Sequence, residues 1–242
     1  MKLSRNKILI TGGASGIGLG LAQRFTQQDN TVIVCGRRED VMQQAAAALP
    51  ALITRRCDLA LAEDREALFE WIAAEHGDLN VLVNNAGIQQ WMGPADKDFY
   101  ARARSEIAVN IEAPIHLASL FLGLPSLTTI LNVTSGLSFV PLTRVPVYSA
   151  TKAFFHSFTL SLRHLLQARG IEVIEIIPPA LNTDLGGKGL HDHAPAVGEF
   201  IEAIFEQLRE GKVELTFGFS ETVSKAGQDV LRPIFDRMNP AQ

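Results

Sequence analysis

Short apolar segments alternate with amphipathic segments along the chain, and this alternation constrains the fold more than any other feature. The apolar segments have the length of β-strands: KILIT, TVIVC, LITRRC, LNVLVN, TTILNVT, EVIEII and VELTF. Segments such as LGLAQRFTQQ and EDREALFEWIAAEH have a helical pattern. Strands that are apolar on both faces and separated by helices form parallel sheets covered on both sides. The sequence therefore predicts an α/β fold, a doubly wound parallel sheet of seven strands with helices on both faces.

Length and charge limit the classes of protein that this chain can represent. Its 242 residues suit one domain, 1–242, with a mobile loop near 184–197 as a lid. The formal net charge of −4 argues against nucleic-acid and membrane-surface partners, which require a basic face. Two cysteines in apolar segments and no long apolar segment for a leader or membrane span predict a cytoplasmic protein.

A glycine-rich turn, TGGASGIG, follows the first predicted strand and opens the first helix. Its glycines, Gly12, Gly16 and Gly18, allow the backbone to turn tightly and to approach a pyrophosphate. Such a group binds at the positive end of a helix dipole. A tight turn that binds no ligand is the alternative for this motif taken alone.

Further motifs follow later strands in a fixed order. They are NNAG at 84–87, Asn110 in AVNIEAP, Ser135 in NVTSG, Tyr148 and Lys152 in YSATK, and PPALNT at 178–183. Together they resemble the classical short-chain dehydrogenases/reductases, from residue 7 to about residue 185, and the C-terminal segment is similar to the DltE-like oxidoreductases. The resemblance implies a Rossmann sheet and an oxidoreductase that uses a nicotinamide cofactor.

The resemblance also implies that Asn110, Ser135, Tyr148 and Lys152 are catalytic. Tyr148 and Lys152 are four residues apart, so they project from one helix face. We expect the ammonium group to lower the pKa of the phenol, which then acts as general acid or base, while Ser135 binds the same substrate oxygen. Pro114 has no N–H, which predicts a helix kink and leaves the Asn110 carbonyl free to hold a water.

The remaining cofactor contacts are implied by the resemblance. They lie at Gly12, Ser15, Gly16, Ile17, Gly18, Asp58, Leu59, Asn84, Ala86, Gly87, Tyr148, Lys152, Pro178, Leu181 and Thr183. Asp58 is expected to meet the adenine, and Asn84 to support the sheet beside the adenosine ribose. Thr183 and the backbone near Leu181 are expected to hold the nicotinamide carboxamide. This chain has Pro178-Pro179 where the family has Pro-Gly.

The second strand ends in Gly36, Arg37 and Arg38 instead of an acidic residue. In the family, an acid there selects NAD, whereas a neutral residue followed by a basic one favours NADP. A guanidinium can grip the 2′-phosphate through paired hydrogen bonds, so the sequence predicts NADP(H) ahead of NAD(H). Arg37 is the predicted main ligand and Arg38 the reserve. The alternatives are that both arginines are solvated surface charges or that Glu39 binds the ribose.

These features predict an NADP(H)-dependent oxidoreductase that transfers a hydride between the nicotinamide and a carbonyl or secondary alcohol of a small, mostly apolar substrate. A non-catalytic NADP(H)-sensing protein on the same fold is the alternative. No metal site is predicted, because His191 and His193 lack a third ligand. The helix after Tyr148 is apolar on more than one face, which predicts a homodimer or homotetramer.

Overall fold

The computed structural model describes residues 1–240. Seven parallel strands form one sheet in the order β3-β2-β1-β4-β5-β6-β7. The strands are β1 (Lys7–Thr11), β2 (Thr31–Gly36), β3 (Ile53–Arg56), β4 (Val81–Asn84), β5 (Thr129–Val133), β6 (Glu172–Ile177) and β7 (Glu214–Thr216). The predicted seven-stranded parallel sheet is therefore confirmed.

Helices connect the strands and cover both faces of the sheet. They are α1 (Gly16–Thr26), α2 (Glu39–Ala48), α3 (Ala62–Glu75), α4 (Phe99–Ile107), α5 (Ala113–Phe121), α6 (Pro146–Leu166), α7 (Val197–Arg209), α8 (Phe219–Ser224) and α9 (Gln228–Met238). A π-helical turn, Ala108–Glu112, joins α4 to α5. No helix within residues 1–240 has the length and apolar character needed to cross a membrane.

The apolar strands are explained by two hydrophobic cores, one on each face of the sheet. In β1, Ile8 and Ile10 belong to the core that contains Leu21 of α1 and Phe200 of α7. Leu9, between them, belongs to the opposite core, which includes side chains of α3, α5 and α6. Because successive side chains of a strand point to opposite faces, a strand with two covered faces is apolar at every position.

The strand order reverses direction between β1 and β4, which are neighbours in the sheet. A crevice forms at such a point, outside the carboxyl ends of the strands, and ligands of open α/β sheets bind there. β1 ends at Thr11, β2 at Gly36 and β4 at Asn84, so the glycine loop, the arginine pair and the NNAG motif all meet at this edge.

The C-terminal segment forms two helices, α8 and α9. Residues 225–227 separate them. Val223 of α8 and Ile234 of α9 pack with Val140, which follows the fifth strand. The C-terminal helices therefore cover the segment that follows Ser135.

Candidate active site

The glycine loop is built so closely that side chains cannot replace its glycines. Gly12 and Gly16 have positive φ values of 63° and 53°. A Cβ atom added to Gly18 would lie 2.4 Å from the carbonyl oxygen of Gly12. Because L-residues disfavour positive φ and the turn has no free space, this stretch presents bare backbone at the start of α1. That is the surface a pyrophosphate needs at a helix N-terminus.

Thr11 and Asn85 tie the glycine loop to the NNAG motif. The Thr11 hydroxyl accepts hydrogen bonds from the backbone N–H groups of Asn85 and Ala86, both at 3.0 Å. The Asn85 side chain donates to the Thr11 carbonyl at 2.9 Å. These contacts fix the ends of β1 and β4 to each other across the crevice. The sequence analysis named neither residue, although both belong to the quoted motifs.

Three further predicted cofactor residues lie at the same crevice. Thr183 lies against the glycine loop, since a Cβ atom on Gly16 would be 3.4 Å from its methyl group. The Pro178 carbonyl accepts from the N–H of Gly136, so the Pro178-Pro179 turn stays close to the segment after Ser135. The buried Asn84 donates to Asn132 at 3.0 Å, and its own Oδ1 has no partner within residues 1–240. These polar groups fit a nicotinamide dinucleotide.

The other predicted contact residues have structural partners at the same edge. Asp58 accepts a hydrogen bond from the N–H of Ala60, and the carbonyl of Leu59 accepts one from Arg65. Leu181 is buried in the core, which leaves its backbone as the part that can meet a ligand.

Arg37 and Arg38 are exposed at the end of β2. Arg38 reaches across to the glycine loop, where its Nη2 donates to Ser15 Oγ at 3.3 Å. Glu39, which the sequence analysis weighed as a ribose ligand, instead opens α2 and pairs with Arg56 at 3.3 Å. Arg38 therefore contacts the glycine loop, and Arg37 precedes it in the chain at the exposed end of β2.

Ser135 and Tyr148 are buried side by side, with 7% and 6% of their surfaces exposed. Ser135 begins a short helical turn, and its Oγ accepts from the N–H of Leu137 at 3.1 Å. Tyr148 lies in the first turn of α6. The two hydroxyl groups interact, since the Ser135 hydroxyl lowers the pKa of the phenol. One substrate oxygen can bind both groups in such an arrangement.

Lys152 lies one turn along α6 from Tyr148 and is almost completely buried. Its Nζ donates to the Val133 carbonyl at 2.8 Å and lies 5.7 Å from the centre of the Tyr148 ring. Gly87 lies beside both polar side chains, since a Cβ atom there would be in ordinary contact with Lys152 Nζ and with Asn110 Oδ1, both at 3.5 Å. The NNAG backbone, the lysine and the asparagine are thus in direct proximity.

The expected lowering of the Tyr148 pKa by Lys152 is not found. Burial raises the pKa of the phenol, the Ser135 hydroxyl opposes this shift, and the charge of Glu106 adds to it. Burial also lowers the pKa of Lys152 to about 8. The physical reason is that both groups are removed from water, and the ammonium group hydrogen-bonds a carbonyl and lies over the ring face. Tyr148 is therefore protonated at neutral pH, the form that a general acid requires.

Asn110 lies in the π-helical turn between α4 and α5. The sequence analysis predicts a kink at this place because of Pro114. The helix widens there by one residue, with the N–H of Ala113 bonded to the carbonyl of Ala108, and such π turns are among the causes of kinks. Pro114 removes an α-helical donor, and a π turn is one way to absorb that loss. The Asn110 side chain donates to the Ile88 carbonyl and accepts from the Ile88 N–H, both at 2.9 Å.

The segment after NNAG is held by contacts that the sequence analysis missed. Glu106 accepts a hydrogen bond from the N–H of Gln90 at 2.6 Å. Gln89 points toward the 184–197 loop, since a Cβ atom on Gly186 would be 2.9 Å from its Oε1. A hint was available in the sequence, because Glu106 stands one helical turn before Asn110.

A buried polar cluster joins α6 to β6 and to the end of β5. Glu175 of β6 is 0% exposed and holds His156 of α6 through both carboxylate oxygens, at 2.9 and 3.0 Å. The Thr134 hydroxyl donates to the same carboxylate at 2.7 Å. Hydrogen bonding to Glu175 raises the pKa of His156. This cluster fastens α6, and with it Tyr148, to the sheet. No metal-binding group of three His, Cys, Asp or Glu side chains occurs within the described residues.

Comparison with known proteins agrees with this geometry. Residues 6–193 match the short chain dehydrogenase family. The chain is 42% identical to the uncharacterized oxidoreductase DltE of Bacillus subtilis (strain 168), over 99% of this chain and 98% of DltE. It is 32% identical to the NADP-dependent 3-hydroxy acid dehydrogenase YdfG of Escherichia coli (strain K12), over 71% of each chain.

Solved structures show the same architecture. A short chain dehydrogenase from Burkholderia cenocepacia J2315, in complex with NADP, superposes with a TM-score of 0.84 at 22% identity and covers 97% of this chain and 99% of that one. The chain therefore belongs to the short-chain dehydrogenase/reductase family of oxidoreductases and is DltE-like.

Proposed function

We propose that this protein is an NADP(H)-dependent oxidoreductase that interconverts a carbonyl group and a secondary alcohol in a small, mostly apolar substrate. The observation that carries the proposal is the buried group formed by Ser135, Tyr148 and Lys152, with Asn110 beside it, at the carboxyl edge of the sheet. This group stands next to a glycine loop that presents bare backbone at a helix N-terminus.

The residues that would hold the cofactor are those that line the crevice. Gly12, Ser15, Gly16, Ile17 and Gly18 would meet its pyrophosphate, while Asp58 and Leu59 would meet the adenine. Asn84, Ala86, Gly87, Pro178, Leu181 and Thr183 would border the ribose and nicotinamide portions, together with Tyr148 and Lys152. When bound, the cofactor supplies or accepts the hydride at the substrate carbon.

The proton chemistry belongs to the chain itself. Tyr148, protonated at neutral pH, would donate its proton to the substrate oxygen during reduction and become a phenolate. In the oxidation direction, the phenolate form would accept the proton of the alcohol. Ser135 would bind the same oxygen, where negative charge develops. Lys152, with a pKa of about 8, would exchange protons readily and return one to the phenolate. Asn110 would keep the Ile88 backbone, and thereby the pocket wall, at a fixed distance from the lysine.

The preference for NADP(H) over NAD(H) is supported by the end of β2. Gly36 offers no acid to the ribose, Arg37 and Arg38 are exposed, and Arg38 contacts the glycine loop. Of the relatives, YdfG is named NADP-dependent, and solved structures of a Burkholderia cenocepacia and a Sphingobium yanoikuyae short-chain dehydrogenase contain NADP and NADPH. We assign the phosphate to Arg37 and Arg38 together.

The segment after NNAG and the 184–197 loop would border the substrate pocket. Gln89, Gln90 and Trp91 form one wall, and the 184–197 loop, which lies against Gln89, would act as a lid.

Phe154 and Leu165 of α6 are 43% and 70% exposed, which supports a homodimer through this helix, or a tetramer built from it. Two free, buried cysteines support a cytoplasmic location.

A panel of ketones and aldehydes tests the proposal, with the oxidation of NADPH and of NADH followed separately. We expect turnover of small apolar carbonyl compounds, faster with NADPH. Binding of NADPH without turnover of any carbonyl compound, and without oxidation of the matching alcohols, would instead favour the non-catalytic NADP(H)-sensing alternative.

A further inference from the structure

Gln89 has a buried side-chain amide whose oxygen has no partner in the fold. The residue is 9% exposed, and its Oε1 is buried without a hydrogen bond within residues 1–240. The large majority of buried polar side-chain atoms in folded proteins are hydrogen-bonded, so an unpaired amide oxygen calls for an explanation. A ligand bound next to Gln89 would provide the missing partner.

The backbone around Gln89 is held at both of its neighbours. Asn110 binds the N–H and the carbonyl of Ile88, both at 2.9 Å, and Glu106 accepts the N–H of Gln90 at 2.6 Å. Gln89 therefore presents its amide from a fixed stretch of chain. A group held in this way loses little conformational freedom when it binds a ligand.

Gln89 lies between the catalytic group and the loop proposed as a lid. Two residues before it, Gly87 is beside Lys152 Nζ and Asn110 Oδ1, since a Cβ atom there would be 3.5 Å from each. On the other side, a Cβ atom on Gly186 would be 2.9 Å from Gln89 Oε1. Gly186 has a φ of 81°, which favours glycine, so the loop approaches the amide with bare backbone. The unpaired oxygen is therefore next to the loop that would cover a bound substrate.

The chemistry of the amide selects among possible ligand groups. Oε1 accepts hydrogen bonds, so its partner must carry an O–H or N–H donor. A hydroxyl group both donates and accepts, and it therefore pairs with the amide whichever of the two ends faces the ligand. A carboxylate only accepts, and it would stand near the buried carboxyl group of Glu106, which anchors the adjacent residue. A neutral hydroxyl group fits this place better than an acid.

We propose that Gln89 is a specificity-determining residue that binds a hydroxyl group of the substrate, within two carbon atoms of the carbonyl that is reduced. The substrates are then hydroxyketones or hydroxyaldehydes with an apolar remainder, and their reduction gives diols. The reaction rests on the proposed function, whereas the binding of the hydroxyl group by Gln89 does not depend on turnover.

Pairs of ketones that differ in one group test the proposal. Hydroxyacetone is paired with butanone, α-hydroxyacetophenone with propiophenone, and β-hydroxypropiophenone with butyrophenone, so that a methyl group replaces the hydroxyl group. The measurement is the ratio of the two kcat/KM values within a pair, in wild type and in Gln89→Leu. Because the intrinsic reactivity of each ketone is the same for both proteins, a change of the ratio reports the contact. We expect the ratio to fall by about tenfold in Gln89→Leu for at least one pair, the scale of one lost hydrogen bond.

The control and the contrary outcomes are equally specific. Gln167→Leu, at an exposed site just after α6, should leave every ratio unchanged. If Gln89→Leu lowers both values of each pair alike, Gln89 only supports the pocket, and the proposal is overturned. A preference for benzoylformate, a matching keto acid, that survives Gln89→Leu would overturn it too. Arg144, whose guanidinium lies 5.1 Å from the centre of the Trp91 ring, would then be the group to test.

A binding measurement decides the proposal without turnover. NADP⁺ cannot reduce a ketone, so the complex of protein, NADP⁺ and ketone is stable. The chain has two tryptophans, and Trp71→Phe leaves Trp91, two residues after Gln89, as the fluorescent reporter. In at least one pair the hydroxyketone should bind about tenfold more tightly than its alkyl partner. Equal affinities in all pairs would overturn the proposal, even if Gln89→Leu failed to fold. If no carbonyl compound is turned over, the proposed function fails, and this comparison still decides the role of Gln89.

Discussion

Substitutions at Gly36, Arg37 and Arg38, at the end of β2, should change the preference between NADPH and NADH. A charge-assisted hydrogen bond to the 2′-phosphate contributes about 1.5–3 kcal/mol, or roughly tenfold to a hundredfold in affinity. Arg37→Ala should raise the KM for NADPH by about that factor. NADH has no phosphate at this place, so its KM should hardly change. Arg38→Ala should have a smaller effect of the same sign, because Arg38 shares the phosphate with Arg37 and also donates to Ser15 Oγ at 3.3 Å.

Gly36→Asp should act in the opposite sense. The structure has room for the new side chain, because the nearest atom to an added Cβ would be Met42 Sδ at 3.9 Å. The carboxylate would repel the 2′-phosphate and offer the NADH ribose a hydrogen-bond acceptor. The assay is kcat/KM for NADPH and NADH in wild type and in the three variants. Arg209→Ala, an exposed arginine at the end of α7, is the matched control.

The reasoning about the arginines is refuted if wild type prefers NADH. It is refuted equally if neither alanine variant changes the ratio of the NADPH and NADH values. Either result would leave Arg37 and Arg38 as solvated surface charges.

Two further predictions concern stability and assembly. Glu175→Ala should lower the free energy of unfolding by about 3 kcal/mol, because it leaves His156 and Thr134 unpaired. The pKa of His156 is raised in the fold, so the ion-pair contribution is complete below the unfolded value of about 6.5 and is lost as the pH rises through the folded value. Urea unfolding should therefore show a smaller gap between variant and wild type at alkaline pH, and a gap that widens there would contradict the assignment. Leu165→Glu, at a 70% exposed site on α6, should weaken the dimer in light scattering, whereas a monomeric wild type would refute the α6 interface.

The strands and the motif positions could be predicted because they depend on local sequence. Ile8, Leu9 and Ile10 are apolar in succession because both faces of β1 are covered, and such runs mark a buried parallel strand wherever they occur. Gly12 and Gly16 were identified as a turn because their residue type permits the positive φ that the loop requires.

The electrostatics could not be predicted, because they depend on contacts between distant residues. Glu106 meets Gln90 across 16 positions of the chain, and Thr134 meets Glu175 across 41. The direction of the Tyr148 pKa shift was wrong because spacing along a helix places Lys152 nearby but does not reveal burial or the bond of its ammonium group to the Val133 carbonyl.

The most direct test of the proposed chemistry is the turnover of Tyr148→Phe. This change removes the transferable proton and keeps the buried ring, and Tyr100→Phe, at the exposed tyrosine, is its matched control. The measurement is kcat for the best carbonyl substrate with NADPH, with NADPH binding measured in parallel. We predict that kcat falls by at least about 100-fold in Tyr148→Phe, the scale of a lost acid–base group, while NADPH affinity is retained and Tyr100→Phe behaves as wild type. Near-normal turnover in Tyr148→Phe would contradict the assignment of Tyr148 as the catalytic acid.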